Sequence, residues 1–338
     1  MACLLNVKNL SVCVKKDGKN LKIVNDISFS IEEGEILGLA GESGCGKSMT
    51  ALSIPNLLPN NVRITEGEII YNNRSLTSLG EKEMCGLRGG DISLIFQEPK
   101  QALNPIMKIG KQITECLEIG GCQDKEKNKK AALEMLSSLG FQDSQTIYNA
   151  FPHQLSGGMC QRVMTAIAVI RRPGLLLADE PSSSLDEESQ EKCLSLLLEM
   201  MKQNNKMSLL VISHDLSIIK NFCSRFLIMY AGKIAEEGRS HALFSPLHPY
   251  THALVNAIPN KEKRGKILSS IPGKVPSVEN QLPGCPFAPR CPKAQDICRE
   301  TFPPVKETGN GKVYCYFPMS GENKTAEDTE LHGEKRDE

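Results

Sequence analysis

The stretch GESGCGKS at residues 41–48 fits the pattern G-x-x-x-x-G-K-[ST] and follows the short apolar run EILGLA. Glycines in such a loop let backbone N–H groups turn inward around phosphates, and the helix that follows presents its positive end to them. We expect Lys47 to reach the β- and γ-phosphates of a nucleotide and the Ser48 hydroxyl to ligate Mg²⁺. The stretch therefore predicts a strand, a phosphate-binding loop and a helix.

The composition limits the classes of protein to consider. The chain has 338 residues, no formal net charge and 40% hydrophobic residues, which predicts one large domain with an appendage. This balance gives no support for nucleic acid as a partner, because nucleic-acid-binding domains usually carry a basic excess. The start MACLLNVKNL predicts no secretory signal. No apolar run approaches the ~18–20 residues that span a bilayer.

The 13 cysteines need an explanation of their own. Their odd number and the lack of an export signal argue against a disulfide framework and favour a reducing cytosol. Four of them, Cys285, Cys291, Cys298 and Cys315, lie together in a Pro-rich segment. Four thiolates suit either Zn²⁺ or an iron–sulfur cluster in number. The absence of C-x-x-C pairs, which are typical of small zinc modules, weakens the zinc interpretation.

The order of the apolar segments predicts an α/β fold. Alternating residues over 4–36, interrupted by the turn signal Asp17-Gly18, predict antiparallel strands at the N-terminal end. Short apolar strands that alternate with helical patterns then predict a mainly parallel sheet. The helical patterns lie at 128–139, at 157–172 and at 187–202.

Two further strings follow the phosphate loop in a fixed order: LSGGMCQR at 155–162 and LLLADEP at 175–181. LSGG between a phosphate loop and an apolar strand that ends in Asp-Glu resembles the signature of ATP-binding-cassette (ABC) ATPases. The segments SPLHPYTHALVNAIP and GCPFAPRCPKAQDIC narrow this resemblance. They are similar to the ATPase subunit of bacterial oligopeptide/dipeptide importers, including their nickel-carrying relatives.

The resemblance implies an ABC-type P-loop NTPase with a recognisable domain organisation. An ATP-binding domain is expected over 1–245, with an N-terminal antiparallel β subdomain and a helical subdomain at about 98–172. A small Cys-rich domain is expected over 246–319. Residues 320–338 are polar and rich in charge, and we expect a disordered tail there.

The resemblance also assigns roles around the nucleotide. Asp179 would hold Mg²⁺ through water, and Gln97 would contact both Mg²⁺ and the attacking water. Glu180 would either act as general base or orient the attacking water. His214 would hydrogen-bond the γ-phosphate, and Asp186 would lie in a loop that reaches a partner subunit. The residues expected to contact ATP in the phosphate loop are Gly41, Glu42, Ser43, Gly44, Cys45, Gly46, Lys47, Ser48 and Met49.

The LSGG residues Ser156, Gly157 and Gly158 stand where a helix begins, and helix N-termini attract anions. In ABC ATPases these residues bind the γ-phosphate of ATP held by another subunit, so two cassettes would close head to tail. The implied partners are a second ATPase chain, more often a paralogue than an identical copy, two membrane permeases and an extracytoplasmic substrate-binding protein. The implied location is the cytoplasmic face of the cell membrane, and no nucleic acid is expected.

Several residues depart from the family pattern or qualify it. Cys160 stands where relatives usually carry Arg, which would alter contacts on that helix surface. Val14 stands where cassettes often stack an aromatic ring on adenine, and losing the ring would forfeit about 1 kcal/mol of stacking. The sequence therefore supports selection of ATP over GTP less strongly than it supports phosphate binding. Cys45, if exposed, would make turnover sensitive to thiol alkylation.

For the four clustered cysteines, the resemblance favours a [4Fe–4S] cluster over Zn²⁺, with a structural or regulatory role. Two other functions remain as alternatives. One is an ABC ATPase in DNA repair or translation, but only 57 residues separate Gln97 from Leu155, which leaves no room for a coiled-coil arm. The other is a metal-sensing regulator, which would leave Lys47, Asp179 and Glu180 unexplained. The resemblance implies that the solute is selected by other subunits, since closely similar ATPases serve the import of peptides, nickel complexes and other small solutes.

Overall fold

The structure is a computed structural model and describes residues 2–181, 187–203, 207–258, 270–279, 282–309 and 311–319. The strands are β1 (Cys3–Lys16), β2 (Lys19–Glu32), β3 (Ile36–Ala40), β4 (Val62–Tyr71), β5 (Arg74–Ser75), β6 (Ile92–Ile95), β7 (Leu175–Asp179), β8 (Ser208–Ile212), β9 (Arg225–Tyr230), β10 (Lys233–Arg239), β11 (Lys306–Thr308) and β12 (Gly311–Val313). The helices are α1 (Lys47–Ser53), α2 (Glu81–Leu87), α3 (Pro99–Ala102), α4 (Ile109–Ile119), α5 (Lys125–Ser138), α6 (Ser144–Asn149), α7 (Gly157–Val169), α8 (Glu187–Gln203), α9 (Leu216–Phe222), α10 (Pro249–Ala257) and α11 (Asp296–Glu300).

The N-terminal strands form an antiparallel sheet in the order β2-β1-β4-β5. The predicted turn between the first two strands is confirmed: Asp17 and Gly18 link β1 to β2, with φ values of 49° and 75°. This left-handed backbone is the conformation that two-residue hairpin turns require. The expected antiparallel subdomain is therefore present.

The larger sheet has the order β11-β12-β10-β9-β3-β8-β7-β6. Strands β6, β7, β8, β3 and β9 are parallel, and β10, β12 and β11 continue the sheet with antiparallel pairing. The sheet is thus mixed, with a parallel part as the sequence predicts. Strands β9 and β10 form an antiparallel hairpin.

The sheet continues beyond residue 245. Glu236 of β10 pairs with Val313 of β12, and Tyr314 N–H donates to Ala235 O at 3.0 Å. These pairs join the C-terminal region to the core. The domain division at residue 245 stays a prediction. The expected tail at 320–338 lies outside the described residues.

Apolar layers cover both faces of the parallel strands. Leu175 and Leu177 of β7 pack with the antiparallel sheet, whereas Leu176 and Ala178 pack with the helices on the other face. All four are completely buried. Alternate residues of one strand therefore serve two cores, which is why LLLAD is apolar at every position before its aspartate. A separate cluster, which includes Ile113, Leu136 and Val163, joins helices α4, α5 and α7.

Among the helices of the described ranges, none has both the length and the apolar character that a membrane span requires.

Two glycine substitutions test the packing of β3 against α9. A Cβ on Gly38 would lie 2.8 Å from Ile219 Cδ1 and 2.9 Å from Cys223 Sγ, whereas a Cβ on Gly86 in α2 would meet nothing within 4 Å. We expect Gly38→Ala to lower the free energy of unfolding by about 1–3 kcal/mol because of overpacking. The control Gly86→Ala should raise it by up to about 1 kcal/mol, because alanine is the better helix former. Urea denaturation measures both, and equal effects would contradict the packing described.

Candidate functional site

The carboxyl ends of the parallel strands bring four loops to one edge of the sheet. β3 leads into residues 41–46, β6 into Gln97, β7 into Asp179 and Glu180, and β8 into His214. Adjacent strands in register hold these ends together: Ile95 pairs with Ala178, and Asp179 pairs with Ile212. The edge thus gathers residues that are up to 173 positions apart in the chain, between 41 and 214.

The phosphate loop is closely shaped by its neighbours. Gly46 has φ 106° and Gly41 has φ 151°, and a Cβ on Gly41 would lie 2.2 Å from Met229 O. Only glycine fits at residue 41 without moving the backbone. Lys47 is 6% exposed, and its Nζ donates to Gly41 O at 2.8 Å and to Glu42 O at 3.0 Å. The ammonium group therefore lies within the loop, where it can meet an anion.

Asp179 and Ser48 have the chemistry of a magnesium site. The Ser48 side chain lies close enough to the Asp179 carboxyl to lower its pKa. Burial raises the pKa of the Asp179 carboxyl, the nearby Glu180 raises it further, and Ser48 and Lys47 oppose the shift. The Oδ1 atom of Asp179 is buried, and no donor among the described residues reaches it. A buried carboxylate oxygen without a donor is costly, and a hard cation would satisfy it.

The three predicted catalytic side chains meet in the structure. Gln97 Nε2 donates to Glu180 Oε2 at 3.1 Å, and His214 Nδ1 lies 3.2 Å from Glu180 Oε1. The Glu180 side chain is 16% exposed and that of His214 is 66% exposed. Glu180 has φ 49°, and its N–H donates to Ile212 O at 3.0 Å. A left-handed backbone is unfavourable for glutamate and is often found at functional sites.

The LSGG residues lie in a different part of the molecule. Ser156 caps α7, accepting from Met159 N–H at 3.3 Å, and α7 packs against β6 and the helices α3, α4 and α5. The phosphate loop leaves β3, which is three strand positions from β6, or ~14 Å of sheet width. The phosphate loop and the LSGG segment of one chain therefore do not follow the same strand. Asp186 lies outside the described residues.

Two residues that depart from the family pattern behave differently in the structure. Cys160 is completely buried, and its Sγ donates to Pro152 O at 3.6 Å. This side chain faces the helical core, and the expected change of contacts on the helix surface stays a prediction. Val14 is partly buried in β1, where it pairs with Leu21 and Val62.

The four C-terminal cysteines line one cavity. Their side chains surround a space that they share with His248, Phe287 and Tyr316. Burial raises the pKa of the Cys285 thiol to about 12, and the thiols of the other three cysteines add to the shift. However, no three or more His, Cys, Asp or Glu side chains in the described part of the chain form a group that could hold a metal ion. The thiols are therefore gathered, but without the geometry of a metal site.

Two residues outside the predicted motifs contact the phosphate loop. Glu42 N–H donates to the Tyr250 hydroxyl at 2.8 Å, and Arg290 Nη1 lies 3.0 Å from Glu42 Oε2. Sequence reasoning missed both contacts. Neither partner is near residue 42 in the chain, since they are 208 and 248 positions away. The nearest signal was the resemblance of the segment GCPFAPRC, which contains Arg290.

Comparisons with known proteins agree with this geometry. The family model described as ABC transporter matches residues 24–183, and the model described as oligopeptide/dipeptide transporter, C-terminal region, matches residues 235–298. The dipeptide transport ATP-binding protein DppD of Escherichia coli is 38% identical over 318 residues, which cover 94% of this chain and 97% of DppD. The oligopeptide transport ATP-binding protein AppD of Bacillus subtilis is 40% identical over 320 residues, with 94% of this chain and 97% of AppD covered.

A solved structure is also similar. The dimeric structure of MJ0796, a bacterial ABC transporter cassette, superposes with a TM-score of 0.64 at 28% identity. The match covers 70% of this chain and 99% of the cassette. The fold and the site therefore define an ABC ATPase, a cassette that hydrolyses ATP in transport. Within that class, the chain belongs to the family of dipeptide and oligopeptide transport ATP-binding proteins.

The burial of Cys45 leads to a prediction about thiol reactivity. Cys45 is completely buried, and burial raises the pKa of its thiol despite the opposing charge of Lys47. Since the thiolate is the reactive form, we expect maleimide to modify the exposed Cys3 and Cys85 in the native protein and to leave Cys45 unmodified. Peptide mapping by mass spectrometry measures this, with labelling in denaturant as the control. Rapid native labelling of Cys45 that ATP prevents would contradict the described loop.

Proposed function

We propose that this chain hydrolyses Mg-ATP to drive the import of dipeptides or oligopeptides through separate membrane permeases. The observation that carries the proposal is the Glu180 carboxylate, which Gln97 and His214 hold beside Asp179 at the end of β7. A carboxylate fixed by two donors next to a phosphate loop suits the activation of water. The peptide cargo is supported by the names of the relatives that match nearly the whole chain.

Each residue of the site has a part in this proposal. Lys47 and the backbone N–H groups of residues 41–48 bind the phosphates, and Asp179 and Ser48 hold Mg²⁺, which neutralises phosphate charge when bound. Glu180 accepts a hydrogen bond from the attacking water and directs it at the γ-phosphate. His214 and Gln97 keep the Glu180 carboxylate in position, and the exposed His214 can turn to the γ-phosphate. Gln97 also connects the site to α3, which follows it.

The completed site needs a second cassette. Ser156, Gly157 and Gly158 form an anion-binding helix start that lies on the helical side of the molecule, away from the phosphate loop of the same chain. They would bind the γ-phosphate of ATP held by a partner ATPase, for which we propose a paralogous chain. Asp186 would lie in the same interface. The similar cassette MJ0796 is dimeric, which supports this arrangement.

The remaining partners are two transmembrane permeases and an extracytoplasmic substrate-binding protein, with the chain at the cytoplasmic face of the membrane. The permeases would dock near residues 97–115. Ile106 in this segment is 86% exposed, an unusual fraction for isoleucine. Contact with a permease helix would cover it. With Val14 at the usual aromatic position, selection of ATP over GTP would be modest.

For the C-terminal region, we propose a domain over 246–319 that is distinct from the ATP-binding domain of 1–245 and holds a [4Fe–4S] cluster, with Zn²⁺ as the alternative. The specific observation in favour is that Cys285, Cys291, Cys298 and Cys315 line one cavity, in which the other three thiols add to the raised pKa of Cys285. Binding of metal would require these thiols to lose their protons and draw together. Its role would be structural.

The role of Glu180 is tested by Glu180→Gln. The amide cannot accept a proton from water, so the rate of phosphate release should fall about 10²–10⁴-fold while ATP binding is retained. The exposed Glu199 on α8 provides the matched control, and Glu199→Gln should leave the rate unchanged. Phosphate release and equilibrium ATP binding are measured on the same preparations. A Glu180→Gln chain that hydrolyses ATP at the wild-type rate would contradict the proposed chemistry.

The cysteine site is tested on anaerobically purified protein. A cluster predicts a brown protein with broad absorption near 400 nm, and about four iron and four sulfide per chain. Cys298→Ser should lose the colour and lower the melting temperature. The control Cys85→Ser, at an exposed cysteine outside the cavity, should change neither. A colourless protein with one zinc per chain would rule out the cluster.

A further inference from the structure

Glu42 is the second residue of the phosphate loop, and its N–H group, its carbonyl oxygen and its carboxylate each have a different hydrogen-bond partner. Its N–H donates to the Tyr250 hydroxyl at 2.8 Å, and its carbonyl oxygen accepts from Lys47 Nζ at 3.0 Å. Both carboxylate oxygens accept from Arg290 Nη1, at 3.1 and 3.0 Å. Tyr250 and Arg290 belong to the C-terminal region. That region therefore fixes both the backbone and the side chain of one loop residue.

Arg290 is itself rigidly held. Its Nε donates to Pro272 O at 2.8 Å, its Nη2 to Ile271 O at 3.2 Å, and its Nη1 also to the Tyr230 hydroxyl at 3.1 Å. The Arg290 side chain is only 7% exposed. A planar guanidinium with donors engaged on several sides has little freedom to follow a moving partner. It acts as a fixed support against which Glu42 rests.

The charge of Glu42 makes this support important for nucleotide binding. Glu42 places a carboxylate in a loop that has to receive a triphosphate, and its side chain is 25% exposed. Like charges repel strongly where water is partly excluded. Arg290 offsets that repulsion from the side of the C-terminal region. Without Arg290, the carboxylate would be free to turn toward the phosphates.

We propose that Arg290 is a positioning residue of the nucleotide site, which neutralises and fixes Glu42 so that the loop can accept ATP. The C-terminal region would then help to set the affinity for ATP. This proposal rests on the proposed function of the loop as the ATP site. Arg290 ends the hydrogen-bonded turn between Cys285 and Cys291, in which Ala288 N–H donates to Cys285 O at 3.0 Å. The cysteine cavity and the phosphate loop are thus joined through one short segment.

The test is a double-mutant cycle on the full-length protein, purified anaerobically. Equilibrium binding of the fluorescent analogue mant-ATP is measured for wild type, Arg290→Gln, Glu42→Gln and the double variant. We expect Arg290→Gln to weaken binding about tenfold, since it loses a charge-assisted pair. Adding Glu42→Gln should restore affinity to within about threefold of wild type, because the uncompensated carboxylate is gone. Raising the salt concentration should reduce the Arg290→Gln defect through screening.

Two results would overturn the proposal: normal affinity in Arg290→Gln, or a double variant that binds as weakly as Arg290→Gln. The second result would mean that Arg290 merely holds its own segment in place. If Arg290→Gln does not fold, the same cycle is run with Arg290→Lys, which keeps the charge and loses the fork. We expect Arg290→Lys to bind mant-ATP about threefold more weakly than wild type, and the addition of Glu42→Gln to restore the affinity.

Arg225→Gln is the matched control. Arg225 is also a largely buried arginine between carboxylates, 2.9 Å from Glu35 and 3.4 Å from Glu237. It begins β9, at the opposite end of the strands from the phosphate loop. The Arg225→Gln substitution should lower the melting temperature and leave the affinity for mant-ATP unchanged. Wild type that fails to bind, or Lys47→Ala that binds normally, would refute the proposed function itself. Normal binding by Arg290→Gln beside a defective Lys47→Ala would refute only this inference.

Discussion

The parallel alignment of β3, β6, β7 and β8 is the constraint on which the site depends. Parallel strands end at the same edge, and so the residues that follow them meet there regardless of their distance in the chain. The alignment is stable because both faces of these strands are buried, with alternate residues of β7 serving opposite cores. A shift of one residue in β7 would move Asp179 and Glu180 away from the loops that they meet.

At this edge of the sheet, several residues have energetically unfavourable conformations or surroundings that a purely structural region would not need. Glu180 has a left-handed backbone, and Asp179 has a buried oxygen that no described donor reaches. Lys47 is buried in a loop whose carbonyl oxygens it satisfies. Strain and unsatisfied charge at a strand end are expected where a protein must bind a charged ligand, and the buried sheet beneath supplies the stability that tolerates them.

Much of this could be predicted from the sequence because the decisive signals are local. The phosphate loop, the turn at Asp17 and Gly18 and the apolar strand before Asp179 each need only a few neighbouring residues. The contacts of Glu180 with Gln97 and His214 could be expected only from roles implied by family resemblance, since the order β6-β7-β8 depends on how the strands assemble.

Other features depend on distant residues and left no local signal. The pairing of β10 with β12 and the contacts of Arg290 and Tyr250 with Glu42 join segments that composition and periodicity treat as separate. The four C-terminal cysteines are a different case. They are close in the sequence and line one cavity, but the number of thiols alone does not establish a metal site in the described residues.

The central claim is that two cassettes complete each other's ATP sites, and mixing two inactive variants tests it most directly. Lys47→Ala removes phosphate binding from a chain and keeps its LSGG segment, whereas Ser156→Arg does the reverse. The test uses pairs of this chain with itself, formed at high protein concentration in place of the proposed paralogue. A head-to-tail pair of one chain of each kind contains one intact site, so phosphate release should reappear on mixing. Full activity of Ser156→Arg alone, at dilutions where the protein is monomeric, would contradict the account.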